Sequence, residues 1–300
     1  MELAPRTWFY TRVGIGIFDE AWWEFRTRLF AATILPSVAR FCQQGARWVL
    51  VIDEDLSDSR VAALKAMVAE AGITSQVTLL PVQFHTDLFD ALHVLLLEQA
   101  DERRVGIVRV DDDDALAADF LSRASQHLRE DASALVTMTS GWEVALAERK
   151  KRPMELRFGS LNTLYWGLPD TFRSYAAVGH HNLPIWAEKN GIPVVADSEG
   201  DRMFMYMRHK QSDSSFGGRR KAILEDPAVH DMTAEAIERF GLDPDRYTAW
   251  REFARTAPGT GSAKTWALAA DIVAAARAEP EKRAEHKRRL IEATRNVLQQ

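Results

Sequence analysis

The chain has 300 residues, enough for one large domain or a catalytic domain with an appendage, and its 46% hydrophobic and 27% charged content is ordinary for a globular protein. A net charge of -5 and a sequence pI near 5.9 exclude a nucleic-acid binder that works through a broad basic surface. The single cysteine, Cys42, excludes an internal disulfide and a cysteine-based zinc site, and fits a reducing compartment.

Met1-Glu-Leu-Ala-Pro-Arg6 has no apolar stretch after a basic start, so no signal peptide is read there. Apolar runs fall short of the ~20 residues a membrane helix needs. The expectation is a cytoplasmic protein, with any membrane contact made at the inner face.

Through the first two thirds, short apolar runs alternate with amphipathic ones. Strands are predicted at residues 8–11, 48–52, 77–82, 105–110 and 135–138. Helices fit between them at 20–42 with a break at Pro36, then at 58–71, 87–100 and 115–129. Such alternation implies βαβ units and a mainly parallel sheet. Residues 140–153 are polar and close on Arg149-Lys-Lys-Arg152, which predicts a surface segment, solvated or facing a phosphate. Short strands follow at 161–167, 193–196 and 203–208, and 212–220 is a loop by composition. From Asp231 onward the pattern is helical, broken at 258–262. It ends in a charged helix at 279–300, whose basic excess suits solvent or a weak contact with a membrane surface. The division expected is an α/β domain over 1–220 and a helical extension over 221–300.

Asp111, Asp112, Asp113 and Asp114 directly follow the strand predicted at 105–110. Adjacent carboxylates repel one another, so the cluster needs solvent or a divalent cation to compensate it. Oxygen-only ligands suit Mg2+ or Mn2+, and the crevice beyond strand ends is where open α/β sheets bind ligands. The plainer alternative is an acidic cap on the helix predicted at Ala115.

Arg109-Val-Asp-Asp-Asp-Asp-Ala115 occurs in order with Tyr10-Thr-Arg-Val13, Trp23-Glu-Phe-Arg-Thr-Arg-Leu-Phe30, Leu35-Pro-Ser37 and Arg208-His-Lys-Gln-Ser212. This set resembles the putative rhamnosyltransferase family, whose members look like GT-A glycosyltransferases with a DXD motif. A lone DXD is a weak signal, whereas the ordered set, running from about Thr11 to Ser212, is moderately specific. The resemblance implies a GT-A-like mixed sheet, mainly parallel and flanked by helices. It also implies a metal-dependent enzyme that moves a sugar, rhamnose among the candidates, from a nucleotide-diphosphate sugar to a glycan or lipid-linked acceptor. Matched to the family phrase, Asp111 and Asp113 form the pair that holds Mn2+ or Mg2+ against the donor diphosphate, with Asp112 at the free position. The same spacing also joins Asp112 to Asp114. Asp111 has a second role open to it, on the ribose. His209 matches a late histidine that completes the metal shell or contacts the diphosphate.

Thr11 and Arg12 end the first strand, where the base and ribose lie in such folds, and Arg26 is placed to reach a phosphate bidentately. Asp53, past the second strand, suits the base or ribose, or a turn cap through Ser57. With Arg109, Asp111 and Asp112 these complete the candidate donor-binding residues; for the arginines the plainer alternative is a surface salt bridge. Glu143 and Asp197 are the carboxylates nominated as general base, against an ordinary surface role. His180 and His181 suit the acceptor side or loop hydrogen bonding. Two other functions fit the chain: a metal-dependent phosphohydrolase, or a non-catalytic glycan- or nucleotide-binding subunit with a transferase fold.

Overall fold

A computed structural model describes residues 2–83, 87–100, 103–158, 161–176, 182–199, 201–212, 216–257 and 280–298. In chain order the elements are β1 (Thr7–Val13), α1 (Glu20–Ala32), α2 (Ile34–Gln43), β2 (Arg47–Asp53), α3 (Asp58–Glu70), β3 (Val77–Val82), α4 (Leu88–Gln99) and β4 (Val105–Arg109). Next come β5 (Ala115–Leu116), α5 (Phe120–Ser125), β6 (Ala134–Met138), β7 (Ser140–Ala145), β8 (Lys150–Glu155), β9 (Thr163–Gly167) and α6 (Pro169–Ala176). The chain continues through α7 (Leu183–Lys189), β10 (Val194–Asp197), β11 (Phe204–Arg208), α8 (Phe216–Leu224), β12 (His230–Asp231), α9 (Ala234–Arg239), α10 (Pro244–Thr256) and α11 (Pro280–Leu298).

Among the described residues the main sheet has seven strands, in the order β10-β6-β9-β4-β1-β2-β3. All its pairings are parallel except the two made by β9. The strands are nearly continuous in apolar character because both faces are covered. On one face Phe9, Trp48 and Leu50 pack with α1 and α2; on the other Trp8, Tyr10, Val49 and Val51 pack with α4. The expected α/β class, a mainly parallel mixed sheet flanked by helices, is what the chain forms. The chain winds outward from β1 to β3 and then returns to place β4 on the far side of β1. Strand order therefore reverses between β1 and β4, and a crevice opens at their C-terminal ends.

A second sheet of five strands, β12-β8-β7-β11-β5, stands over that end. It accounts for two departures from expectation. Ala115 and Leu116 begin no helix; they pair antiparallel with Met205 and Phe204 of β11, and α5 starts only at Phe120. Residues 140–153 are not a solvated surface segment but the hairpin of β7 and β8, turned through Arg149 at φ 56°. The basic run finds tertiary partners: Arg152 pairs with Glu143 and Asp226, and Lys150 with Asp231.

Two further departures are local. The break in the first helical run falls at Thr33, whose hydroxyl donates to the Leu29 carbonyl, and not at Pro36. Pro36 sits in the first turn of α2, where a backbone N–H has no helical partner to lose. The stretch read as a loop at 212–220 enters α8 at Phe216. Beyond residue 220, α10 packs on α1, and α11 packs on α4 and β3. Tyr247 and Trp250 of α10 enter one core and Leu290 of α11 the other. The break expected at 258–262 lies outside the described residues. Among the described residues no helix is long and apolar enough to cross a membrane.

Candidate functional site

At the reversal between β1 and β4 lies a cavity of about 240 Å3 whose lining includes Arg12, Trp22, Arg26, Asp111, Asp113 and Arg208. Several structural units supply them. Arg12 comes from the end of β1, the aspartates from the turn after β4, and Arg208 from the end of β11. Trp22 and Arg26, one helical turn apart on α1, meet with the Arg26 guanidinium 5.4 Å from a Trp22 ring. The loop between β1 and α1 forms one wall through Gly14, Ile15 and Ile17. Gly14 has φ 60°, and a Cβ there would come within 2.6 Å of the Trp23 ring, so the close approach requires glycine.

The four aspartates have four different surroundings. Asp111 accepts from Arg109 Nε and Nη2 on one oxygen, at 2.9 and 2.7 Å, with Arg12 3.7 Å away. Burial opposes its ionisation, but the two arginines outweigh burial and lower its pKa. Asp112 gives both oxygens to Arg26 Nε and Nη2. Burial still pushes its carboxyl up to about 6 against that pairing, with Asp113 adding to the rise. Asp113 gives one oxygen, Oδ2, to Arg26 Nη1 at 2.9 Å and to His209 Nε2 at 2.8 Å. Burial is again opposed and overcome, and its pKa falls well below the usual carboxylate range. Asp114 is buried; its Oδ1 accepts the Met207 amide at 3.0 Å, tying the end of β4 to β11. Burial and the charges of Asp113 and Asp111 raise its pKa well above the ordinary value.

Those surroundings separate the two spacings open in the sequence. Asp112 is fully engaged by Arg26 and Asp114 is a buried link between strands. Among the described residues, nothing hydrogen-bonds Asp111 Oδ2 or Asp113 Oδ1. Asp111 and Asp113 therefore form the pair with oxygen left to offer. The cluster is not a helix cap, because the segment that follows is β5.

His209 meets Asp113 as expected, but its ring is already oriented. Nδ1 accepts the Gln211 amide at 3.1 Å, so the proton of the neutral ring belongs on Nε2, where it is donated to Asp113. Burial lowers the ring's pKa despite Asp113. Among the described residues no three His, Cys, Asp or Glu side chains converge as a complete metal shell.

Other nominated residues fall elsewhere. Thr11 is fully buried and accepts from Trp48 Nε1 at 3.0 Å, on the core side of β1. Asp53 accepts the amides of Gly16 at 2.7 Å and Asp55 at 2.9 Å, so it anchors the β1–α1 loop and does not line the cavity. Glu143 and Asp197 are not among the cavity's lining residues. Glu143 is enclosed by Arg152 and Arg208, and Asp197 by Arg123 and His127, so neither has the open oxygen a general base requires. Asp197 closes β10 near the expected strand end, but Glu143 falls within β7 and not past a strand, and arginines from other elements claim both. His180 and His181 lie outside the described residues. Arg208 has no role assigned to it by sequence reasoning; its signal is an arginine beside His209 at a strand end.

Residues 14–156 match the model of a family described as putative rhamnosyl transferase. No curated protein matches the chain. Among solved structures the chain is similar to residues 1–349 of TarS from S. aureus, with 10% identity, 88% of this chain and 90% of that one covered, and a TM-score of 0.41. A second S. aureus TarS structure gives 11% identity, coverage of 78% and 43%, and a TM-score of 0.36. Mannose-1-phosphate geranyltransferase from Thermus thermophilus gives 11% identity, coverage of 67% and 74%, and a TM-score of 0.30. The family match carries Arg26, Asp53 and the run from Arg109 to Asp114, and ends before Arg208 and His209. Over that segment the chain is similar to the putative rhamnosyl transferase family, and the match supports a glycosyltransferase.

Proposed function

We propose that this chain is a metal-dependent glycosyltransferase that takes a sugar from a nucleotide-diphosphate donor and passes it to a glycan or lipid-linked acceptor. Rhamnose is the sugar that the matched family's description suggests. One observation carries the reading: Asp111 and Asp113 keep an open oxygen each, beside Arg12, in a cavity at the strand-order reversal.

Two carboxylates plus phosphate oxygens are a usual set for Mg2+, and Mn2+ accepts the same hard ligands. Asp111 and Asp113 would hold the ion through the oxygens that Arg109, Arg26 and His209 leave open. When bound, it neutralises the charge that develops on the departing nucleoside diphosphate. Arg26 and His209 fix the orientation of Asp113, a task usual for groups one layer behind a metal ligand. For His209 to ligate directly through Nε2, the ring proton would have to move to Nδ1 and the Gln211 amide would lose its acceptor.

The test is thermal unfolding with uridine, thymidine and guanosine diphosphates, each with Mn2+ and with EDTA. At a ligand concentration of 100 times Kd, binding to the folded state alone adds about 2.7 kcal/mol. A rise in Tm with one diphosphate, larger with Mn2+, is expected. If no nucleoside diphosphate moves Tm in either condition, the donor reading fails.

A further inference from the structure

The cavity has two walls, and the aspartate turn joins them. On one side stand Gly14, Ile15, Ile17 and Trp22, from the β1–α1 loop and α1; on the other stands the end of β11, with Tyr206 and Arg208. Residues 110–114 lead from β4 of the main sheet to β5 of the second, so the aspartates lie between the walls. Asp111 is 3.7 Å from Arg12 of β1, whereas Asp113 meets His209 at 2.8 Å and Asp114 meets the Met207 amide at 3.0 Å.

An ion held by Asp111 and Asp113 would place a diphosphate at this border. A nucleotide-diphosphate sugar carries its nucleoside on one side of the diphosphate and its sugar on the other. The flat, largely apolar face of a base suits the wall of isoleucines and Trp22. The sugar then faces β11, where a polar group is needed to meet its hydroxyls.

Tyr206 supplies one. It lines the cavity, half-buried, and among the described residues its hydroxyl has no hydrogen-bond partner. Its ring is held in place: it belongs to a strand, packs against the larger core, and lies 4.1 Å from the Arg208 guanidinium. Burial pushes the phenol up to about 12; Asp114 adds to the rise, Arg208 opposes it, and the charges of Asp111 and Asp113 also reach the group. The hydroxyl therefore stays protonated at neutral pH and can both donate and accept, as a sugar hydroxyl can.

We propose that the Tyr206 hydroxyl hydrogen-bonds the sugar ring of the donor and takes part in selecting that sugar. This rests on the donor reading above and deepens it, by giving the sugar a contact residue and a wall of the cavity. A group that bonds a substrate hydroxyl discriminates more sharply than an apolar wall, because an analogue without that hydroxyl leaves it unpaired.

The experiment compares, by calorimetry with Mn2+ and no acceptor, the binding of each bare diphosphate with that of a sugar donor built on it. The pairs are uridine diphosphate with UDP-glucose, thymidine diphosphate with dTDP-rhamnose, and guanosine diphosphate with GDP-mannose. Tyr206→Phe removes one oxygen and breaks no hydrogen bond of the folded chain, so the variant should fold as the native chain does. It should weaken binding of the best sugar donor about tenfold, the scale of one lost hydrogen bond, and leave binding of the matching diphosphate unchanged. Equal losses for the two ligands would mean that the hydroxyl serves the diphosphate, and would overturn the sugar assignment while the donor reading stands. No loss for either would overturn it as well. If the native chain binds none of the diphosphates and none of the sugar donors, the donor reading fails and this inference with it.

Discussion

Asp113 is the residue whose loss separates chemistry from folding most cleanly. One oxygen is held by Arg26 and His209 and the other is uncommitted, and three further carboxylates stand beside it. Asp113→Ala should abolish ion-dependent transfer while the chain still folds, because Arg26 keeps Asp112, at a cost of about 1–3 kcal/mol for the hydrogen bonds that Arg26 and His209 lose. Asp113→Asn keeps the size and removes the charge, and should be inactive as well. Full activity in both variants, with unchanged Mn2+ dependence, would reduce the cluster to a structural role. Asp197 offers a contrasting carboxylate. Hydrogen bonds from Arg123 and His127 lower its pKa to about 2 from an ordinary 3.8. A depressed carboxylate stabilises the fold fully above its unfolded pKa, and that contribution disappears as pH falls from about 4 to about 2. Asp197→Asn should cost about 1–3 kcal/mol at pH 7. It should also flatten that acid limb in urea titrations run across the same range.

At the level of elements, the loop between β1 and α1 is held by its glycines and by Asp53. Gly14→Ala forces a side chain into left-handed backbone and against the Trp23 ring, and Gly16 is tied to Asp53 by its amide. The substitution should cost about 1–3 kcal/mol, measured as a shift in urea midpoint. It should also weaken nucleotide binding, because this loop walls the cavity. An alanine variant as stable as the native chain would mean that the loop tolerates another path. The same scale explains why Pro36 misleads as a helix break. Proline forbids a helix interior but suits a first turn, and only the packing of α1 and α2 decides which of these it occupies.

For the whole molecule, α11 returns to cover α4 and β3, the edge strand of the main sheet. Leu290 is buried there, and Arg295 pairs with Glu98 at 2.7 Å. Leu290→Ala should cost about 2–3 kcal/mol, toward the lower end for a buried leucine, with nucleotide affinity unchanged because α11 does not line the cavity. A loss of affinity equal to the loss of stability would instead show that the helix and the site are coupled. An exposed edge strand invites pairing with other chains, and a covering helix is one way proteins prevent it.

Local sequence encodes the α/β alternation, the five predicted main-sheet strands of the first half, and the position of the aspartates past β4. These follow from periodicity and from strand-end placement, which neighbouring residues are enough to specify. The ordered phrases are local too, and the family match bears out their resemblance over residues 14–156. Which carboxylates stay open is a property of the closed fold. Asp111 and Asp112 are neighbours of the same chemical type, yet one retains an open oxygen and the other is closed by Arg26, 86 residues away. Asp197 ends β10, whereas Glu143, read from the sequence as lying past a strand, is inside β7, and folding alone brings the arginines that neutralise both. The basic run from Arg149 to Arg152 looks solvated until β7 and β8 pair, and Ala115 looks helical until β11 arrives beside it. In each case the deciding partner is remote in sequence, and a charge or backbone group becomes committed only when the chain closes on itself.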